Sequence, residues 1–331
     1  MAAYNNPTGA MQFIKKCILV CFLFLSFACQ KRNRSFYEKN QRVKVLCTIS
    51  MIEDVVKMVG KEHIDTLSLI QGNLDPHSYE LCKGDSEKFE YADVVLYNGL
   101  GLEHGASLHY QLEHNEKAIA VGEWIDSDKR IIVDGATDPH IWMDVGLFAN
   151  IVDPITQLLG ELDKEHAPIF LQNAQVLKEN MCALHQEMFE ALKDIDINKR
   201  QLITTHDAFR YFVRAYMAPK EEVTNHTWHY RLTSPEGLAP EGQVSTLDIR
   251  RIVDFAIDRK THVLFAESNL SKTSLKKICD AAKKNGFELK IADRPLFGDA
   301  MMQTEKAFSY GKTMLYNAQT IKEALSEVEN E

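Results

Sequence analysis

Residues 166–195 read HAPIFLQNAQVLKENMCALHQEMFEALKDI. Phe170, Ala174, Leu177, Met181, Leu184, Met188 and Ala191 recur at alternating spacings of four and three. That is the period of a helix with one apolar seam. At 1.5 Å per residue, a helix of about 28 residues runs about 40 Å. Such a rod crosses a whole domain or joins two. Three heptads fit a helix packed along a globular body as well as they fit a coiled coil.

Strand and helix alternate on both sides of this rod. Before it, 42–50 (RVKVLCTIS), 63–70 (HIDTLSLI), 93–99 (DVVLYNG), 117–122 (KAIAVG) and 130–135 (RIIVDG) read as strands. Helical patterns at 52–60 and 86–92 separate the first of them. After it, strands are predicted at 200–207, 261–268 and 287–293. Helices are predicted at 208–216, 245–259 and 272–286, with a final helix to the end. Ser245 and Asp248 form a capping pattern for the helix at 245–259. Alternation of this kind predicts an α/β fold with mainly parallel sheets. The expected architecture is two βα lobes joined by a long interdomain helix. The boundaries read 42–165 for the first lobe, 166–194 for the helix and 195–331 for the second lobe. Residues 234–245 (SPEGLAPEGQVS) are rich in Pro and Gly and read as a surface loop.

The first 41 residues read differently. Lys15 and Lys16 precede an uncharged apolar run at 17–28 (CILVCFLFLSFA). Charged region, short apolar region and small residues have the layout of a secretory signal peptide. The run falls short of the ~20 apolar residues that span a bilayer. Cys29 follows at once, as in a bacterial lipoprotein, and 29–41 is a polar tether. Residues 1–28 thus read as a signal peptide, with Cys29 as a lipid-anchor candidate. The whole chain has 331 residues, 45% of them hydrophobic and 26% charged, and a net charge of −9. Loss of two lysines and no acids takes that from −9 to −11. An acidic body disfavours nucleic acid and anionic membrane surfaces as partners. The cysteines left beyond Cys29 (Cys47, Cys82, Cys182, Cys279) show no metal-type CxxC spacing and predict no pairing.

One tripeptide occurs twice. GNLDPHSYELCKGD at 72–85 holds Asp75, Pro76 and His77, and DPH returns at Asp138, Pro139 and His140. Proline fixes its own φ and biases its predecessor toward extended geometry, so each imidazole leaves a stiff corner. Ordinary turns also use Asp and Pro. His206 likewise follows a predicted strand, and so does the segment ADRPLFGDAM, which offers Asp299 with Asp293 nearby. In open α/β sheets the strand carboxyl ends face the ligand crevice. Two groups from each lobe then meet in a cleft. Three imidazoles and a carboxylate suit zinc, iron or manganese. The chain has 12 histidines. His63, His166, His185 and His262 read as surface or helix-face residues. His104, His109 and His114 are spaced by five and spread around a solvated helix. His226 and His229 read as an aromatic cluster with Trp228, and Asp54, Glu80 and Asp144 as solvent-facing or capping acids.

The order of LDPHSYE, YNGLGLE, DPHIWMD, THDAFRYF, FAESNLS and DRPLFGDAM resembles the metal-binding receptors of ABC importers, the ZnuA, TroA and PsaA type. The resemblance covers residues 42–325. It implies a lobe–helix–lobe fold with one metal held between the lobes. It maps the ligands onto His77, His140, His206 and Asp299. It places Glu267 behind the ligands, where Asp75 or Asp138 is also expected to orient a histidine. It implies a non-enzymatic receptor that delivers zinc, manganese or iron to an ABC permease. It also implies a monomer in the periplasm or on the cell surface. Two departures bear on the metal. Zinc-dedicated relatives often carry a His-rich loop between the first two ligands, and residues 111–138 hold only His114. Manganese specialists prefer oxygen at the third ligand, where this chain has His206. The rival readings are a His3Asp metallohydrolase, a surface adhesin and a receptor for haem or an iron chelate. A hydrolase needs an open metal position and a base, and no HExxH pair is present.

Overall fold

The computed structural model describes residues 35–240, 244–302 and 309–326. The leader and Cys29 readings fall outside these residues. The chain divides after Gln41, and the described part before that point holds one 3-10 turn, Ser35–Tyr37. Among the described residues no helix is long and apolar enough to cross a membrane.

After Arg42 an α/β fold is built around parallel sheets. Strand β1 (Val43–Cys47) is buried at every position, as expected of a central parallel strand. It leads into helix α1 (Ser50–Gly60) and returns as β2 (Ile64–Ser68). Helix α2 (Asp85–Tyr91), strand β3 (Val94–Tyr97), helix α3 (Ala106–Glu113) and strand β4 (Ala118–Ala120) complete the first sheet. Its order is β2-β1-β3-β4 and all pairs are parallel.

The strand predicted at 130–135 does not join that sheet. It is a short antiparallel hairpin of β5 (Ile132–Val133) and β6 (Ala136–Thr137), turned by Asp134 and Gly135 at positive φ. The sequence reading also passed over helices α4 (Val145–Phe148) and α5 (Val152–Leu162).

Helix α6 (Ala167–Lys193) is the predicted rod, with Pro168 in its first turn. The seam lies where expected through Met188, but the last buried residue is Leu192 and not Ala191. A straight helix has 3.6 residues per turn, so a strict heptad stripe drifts by about 20° per repeat. Asn173 also lies in the seam. Its side-chain N–H donates to the Val59 carbonyl at 2.9 Å, serving the C-terminus of α1.

The second half is built from shorter pieces. Strand β7 (Leu202–Ile203) is followed by helix α7 (Arg210–Phe212), which runs into a π-helical turn at Val213–Met217. Helix α8 (Lys220–Thr224) and strand β8 (Leu232–Thr233) come next, the latter unpredicted. Helix α9 (Thr246–Arg259) starts at the expected capping box of Ser245 and Asp248. Strand β9 (Val263–Leu264), helix α10 (Thr273–Lys284), strand β10 (Lys290–Ile291) and helix α11 (Ser309–Ser326) complete the chain. Strand β7 pairs in parallel with β8, and β9 with β10. The Phe265 N–H donates to the Ile203 carbonyl at 2.7 Å, joining β7 to β9. That bond sets the two strand pairs side by side, β7 next to β9, each pair a two-stranded ladder of its own.

The loop at 234–245 is not wholly exposed. Ser234 and Pro235 are buried, and the Gly237 carbonyl accepts from the Asp207 N–H at 3.0 Å. The loop therefore braces the turn that carries His206. Cys47, Cys82, Cys182 and Cys279 are unpaired thiols.

The seam of α6 is testable by truncation. Met181→Ala at a fully buried position is expected to lower unfolding free energy by about 2–5 kcal/mol. Val176→Ala on the exposed side is expected to change it by no more than about 0.5 kcal/mol. Urea unfolding followed by circular dichroism measures both.

Candidate metal centre

The repeated tripeptide has one local cause. The Asp75 carboxylate accepts from the His77 backbone N–H at 2.9 Å. The Asp138 carboxylate accepts from the His140 N–H at 3.0 Å. Each aspartate folds back on the backbone two residues on, while proline fixes the corner between. The two copies then diverge. Asp75 takes a second bond from the Ser78 hydroxyl at 2.6 Å. Asp138 takes the His140 ring, with Nδ1 2.7 Å from Oδ1. Of the two acids considered, Asp138 is the one that orients a ring.

The structure brings His77, His140, His206 and Asp299 together, all four buried. One potential ligand atom from each lies within 4.8 Å of all the others. The Nε2 atoms of His77 and His140 are 3.3 Å apart. Asp299 Oδ2 lies 3.1 Å from His206 Nε2 and 3.7 Å from His77 Nε2, and Oδ1 lies 3.4 Å from His140 Nε2. Apart from these imidazoles, neither Asp299 oxygen has a hydrogen-bond partner among the described residues. Buried acceptors are almost always satisfied, so a carboxylate facing only three imidazoles makes a candidate cation site. Asp293 does not join the cluster.

The remaining motif residues hold the ligand-bearing segments. Glu267 Oε2 lies 2.8 Å from His206 Nδ1, and Oε1 accepts from the Thr205 and His206 N–H groups. Glu103, the acid of YNGLGLE, gathers the Thr48 hydroxyl and the Asn98 and Gly99 N–H groups. Asn98 in turn donates to the Pro139 carbonyl at 3.0 Å, beside His140. Phenols from the second half pin the same stretch. The Tyr211 hydroxyl donates to the Asp138 carbonyl, and the Tyr216 hydroxyl accepts from the Val145 N–H. On the other side, Asn317 grips Phe297 through both its N–H and its carbonyl. The Trp142 indole donates to the Gly298 carbonyl at 3.0 Å.

Burial sets the electrostatics. His77 is pushed down to about 3 by loss of water, only partly opposed by Asp299, with His140 and His206 adding to the fall. His140 is equally dry. There the Asp138 carboxylate, helped by Asp299, overcomes burial and lifts the ring to about 9. Glu267 and Asp299 do the same for His206, which is raised well above its ordinary value. Burial would raise Asp299, but His206 and His140 hold its carboxyl well below the usual range. His140 and His206 are thus pushed toward their protonated forms and His77 toward its neutral form.

Several other expectations are refined. His104 lies before α3 and not on it, and its ring centroid is 5.5 Å from that of His77. The three acids set aside as solvent-facing or capping all serve helix starts. Glu80 accepts from the Ala106 and Ser107 N–H groups, and Asp144 from the Leu147 N–H. Asp54 is buried and accepts from the Tyr310 N–H at the start of α11.

Gly298 is sterically required. A Cβ there would sit 2.2 Å from Glu267 Oε2 and 3.3 Å from a His206 ring carbon. Gly298→Ala is therefore expected to push Glu267 off His206 and lower that ring's pKa from its raised value. An NMR titration of the imidazole nitrogens checks this, and an unchanged titration would show that Glu267 is not the cause.

The chain resembles known proteins over nearly its whole length. The family described as "Zinc-uptake complex component A periplasmic" matches residues 45–324. The chain is 36% identical to the metal-binding protein YtgA of Chlamydia pneumoniae, over 94% of this chain and 93% of that one. It is 29% identical to the manganese-binding lipoprotein MntA of Bacillus subtilis, over 93% and 98% respectively. The crystal structure of Fe(III)-bound YtgA from Chlamydia trachomatis superposes with a TM-score of 0.80 at 33% identity, covering 86% of this chain and 98% of that one. With its fold and nearly its whole length shared, the chain belongs to the periplasmic zinc-uptake component A family, a group of transport receptors and not of enzymes.

Proposed function

We propose that His77, His140, His206 and Asp299 ligate one transition-metal ion in the cleft between the lobes, and that the receptor passes it to the permease of an ABC importer. The metal is cargo: zinc, manganese or iron. The observation carrying this reading is the convergence of four buried donors whose carboxylate oxygens lack any other partner. Imidazole and carboxylate suit all three metals. Four protein ligands fill a tetrahedral site and leave no position for a reactive water, which fits capture and not hydrolysis. Relatives named for iron and manganese, in a family named for zinc, give precedent for each cargo. Zinc outranks manganese and ferrous iron at nearly any such site, so zinc capture in vitro does not name the physiological ion.

The proposal extends to the chain's layout. Residues 1–28 act as an export signal and Cys29 carries a lipid, with 29–41 as tether. Lobes at 42–165 and 195–331 flank the connecting helix at 166–194. The receptor works as a monomer outside the cytoplasmic membrane.

His77→Ala and Asp299→Ala are each expected to weaken metal binding by more than the ~10–100-fold lost with an outer partner, with the circular dichroism spectrum unchanged. Isothermal titration calorimetry measures this, and wild-type affinity in both variants would remove the site. The pH dependence has a definite sign. Metal must displace protons from His140, raised to about 9, and from His206, also raised, so affinity rises with pH above neutrality. Calorimetry at pH 7.5 in buffers of different ionisation heat should show net proton release on binding. No release would contradict the assignment.

A further inference from the structure

Resting on the metal-site reading, we infer that Trp142 is a positioning residue that couples the two halves of the site through its indole N–H. Trp142 lies two residues past His140, and the two rings meet edge-on with centroids 5.3 Å apart and planes at 71°. Its side chain is almost fully buried. The N–H does not serve its own lobe. It crosses to the Gly298 carbonyl, the peptide immediately before Asp299. A residue of the His140 segment thus holds the backbone that presents the carboxylate from the opposite lobe.

Both ends of this bond are fixed. On the Trp142 side, the Tyr310 hydroxyl donates to the Trp142 carbonyl at 2.6 Å, and the Tyr310 N–H is held by Asp54 of α1. On the Gly298 side, Asn317 holds Phe297, and the Glu267 carboxylate leaves no room for a Cβ. The donor and acceptor are therefore presented to each other and not merely adjacent. Losing the donor strands a buried carbonyl, which relaxes by moving, and Asp299 is the next residue along. The effect should appear as altered coordination geometry and not only as reduced stability.

Cobalt(II) provides the readout, because its visible d–d bands report ligand number and geometry. Trp142→Phe keeps an aromatic ring and deletes the N–H. It is expected to bind Co(II) about tenfold more weakly than wild type, with shifted and less intense d–d bands. Met181→Ala, which opens a cavity in the buried seam of α6 and removes none of the bonds around Trp142 or Gly298, serves as the structural comparison. It is expected to lower the melting temperature and keep the wild-type bands. If both variants change the bands alike, Trp142 is merely packing and the inference falls. If Trp142→Phe matches wild type in affinity and spectrum, it falls as well. Wild-type protein that binds no Co(II) at all would instead sink the metal-site reading.

Should Trp142→Phe fail to fold, the wild-type protein supplies the test. Among its three tryptophans, one indole N–H is expected to exchange with solvent at least about tenfold more slowly once Zn(II) is bound, as read by ¹⁵N NMR. Exchange that ignores the metal at all three indoles would overturn the coupling.

Discussion

Everything in this fold answers to charge held away from water. Asp138, Glu267 and Asp299 are buried together with His77, His140 and His206. Isolated ionised groups are prohibitively costly in a dry interior, so they pair, lose charge or bind a metal. The two rings backed by Asp138 and Glu267 are pushed toward the protonated form, and the ring without such backing toward the neutral one. On the proposed reading, a bound cation would take the place of those ring protons opposite the carboxylates.

That arrangement needs donors from distant parts of the chain in one place. A four-stranded parallel sheet before the long helix α6 and two parallel strand pairs after it belong to the halves that supply these donors. Side-chain bonds tie the halves further. Tyr211 reaches the carbonyl of Asp138, Tyr216 reaches Val145, and Trp142 reaches Gly298. Each is a buried polar contact made across the two halves, so wide separation of the lobes would break all three. Small tilts and loop shifts are the motions that preserve these bonds.

The sequence reveals the site better than its supports, for a physical reason. His77, His140, His206 and Asp299 stand after strands in stiff or glycine-marked corners, and chemistry of that kind leaves local traces. The long helix is equally legible because one period governs the whole of it. The supports are single side chains acting over long separations. Nothing near Asn317 says that it grips Phe297, and nothing near Tyr310 says that it reaches the carbonyl of Trp142. Strand β8 and the β5–β6 hairpin were missed or misplaced because two-residue strands carry almost no periodicity. Helix α5 spans only 11 residues and holds Pro154 in its first turn, so its pattern stands out less than that of the rod that follows it. Asn173 sits in an apolar seam because a helix terminus elsewhere needs a donor, which spacing alone cannot reveal.

Selectivity then becomes a matter of rigidity. A buried three-histidine, one-carboxylate set favours zinc on intrinsic affinity, so any preference for another ion must come from geometry the protein refuses to relax. The features around Asp299 are of this kind. Gly298 cannot take a side chain, Glu267 fills the space beside it, Trp142 fixes its carbonyl, and Asn317 fixes the residue before it. The His77 side is held differently. Asp75 shapes its turn without touching the ring, and Nδ1 of His77 has no partner among the described residues. Two rings are thus braced through Nδ1, whereas Asp299 and His77 are held through the backbone that carries them. An ion that tolerates a displaced imidazole and one that demands a fixed polyhedron meet the same residues here, and they differ in how much of that bracing they must strain against.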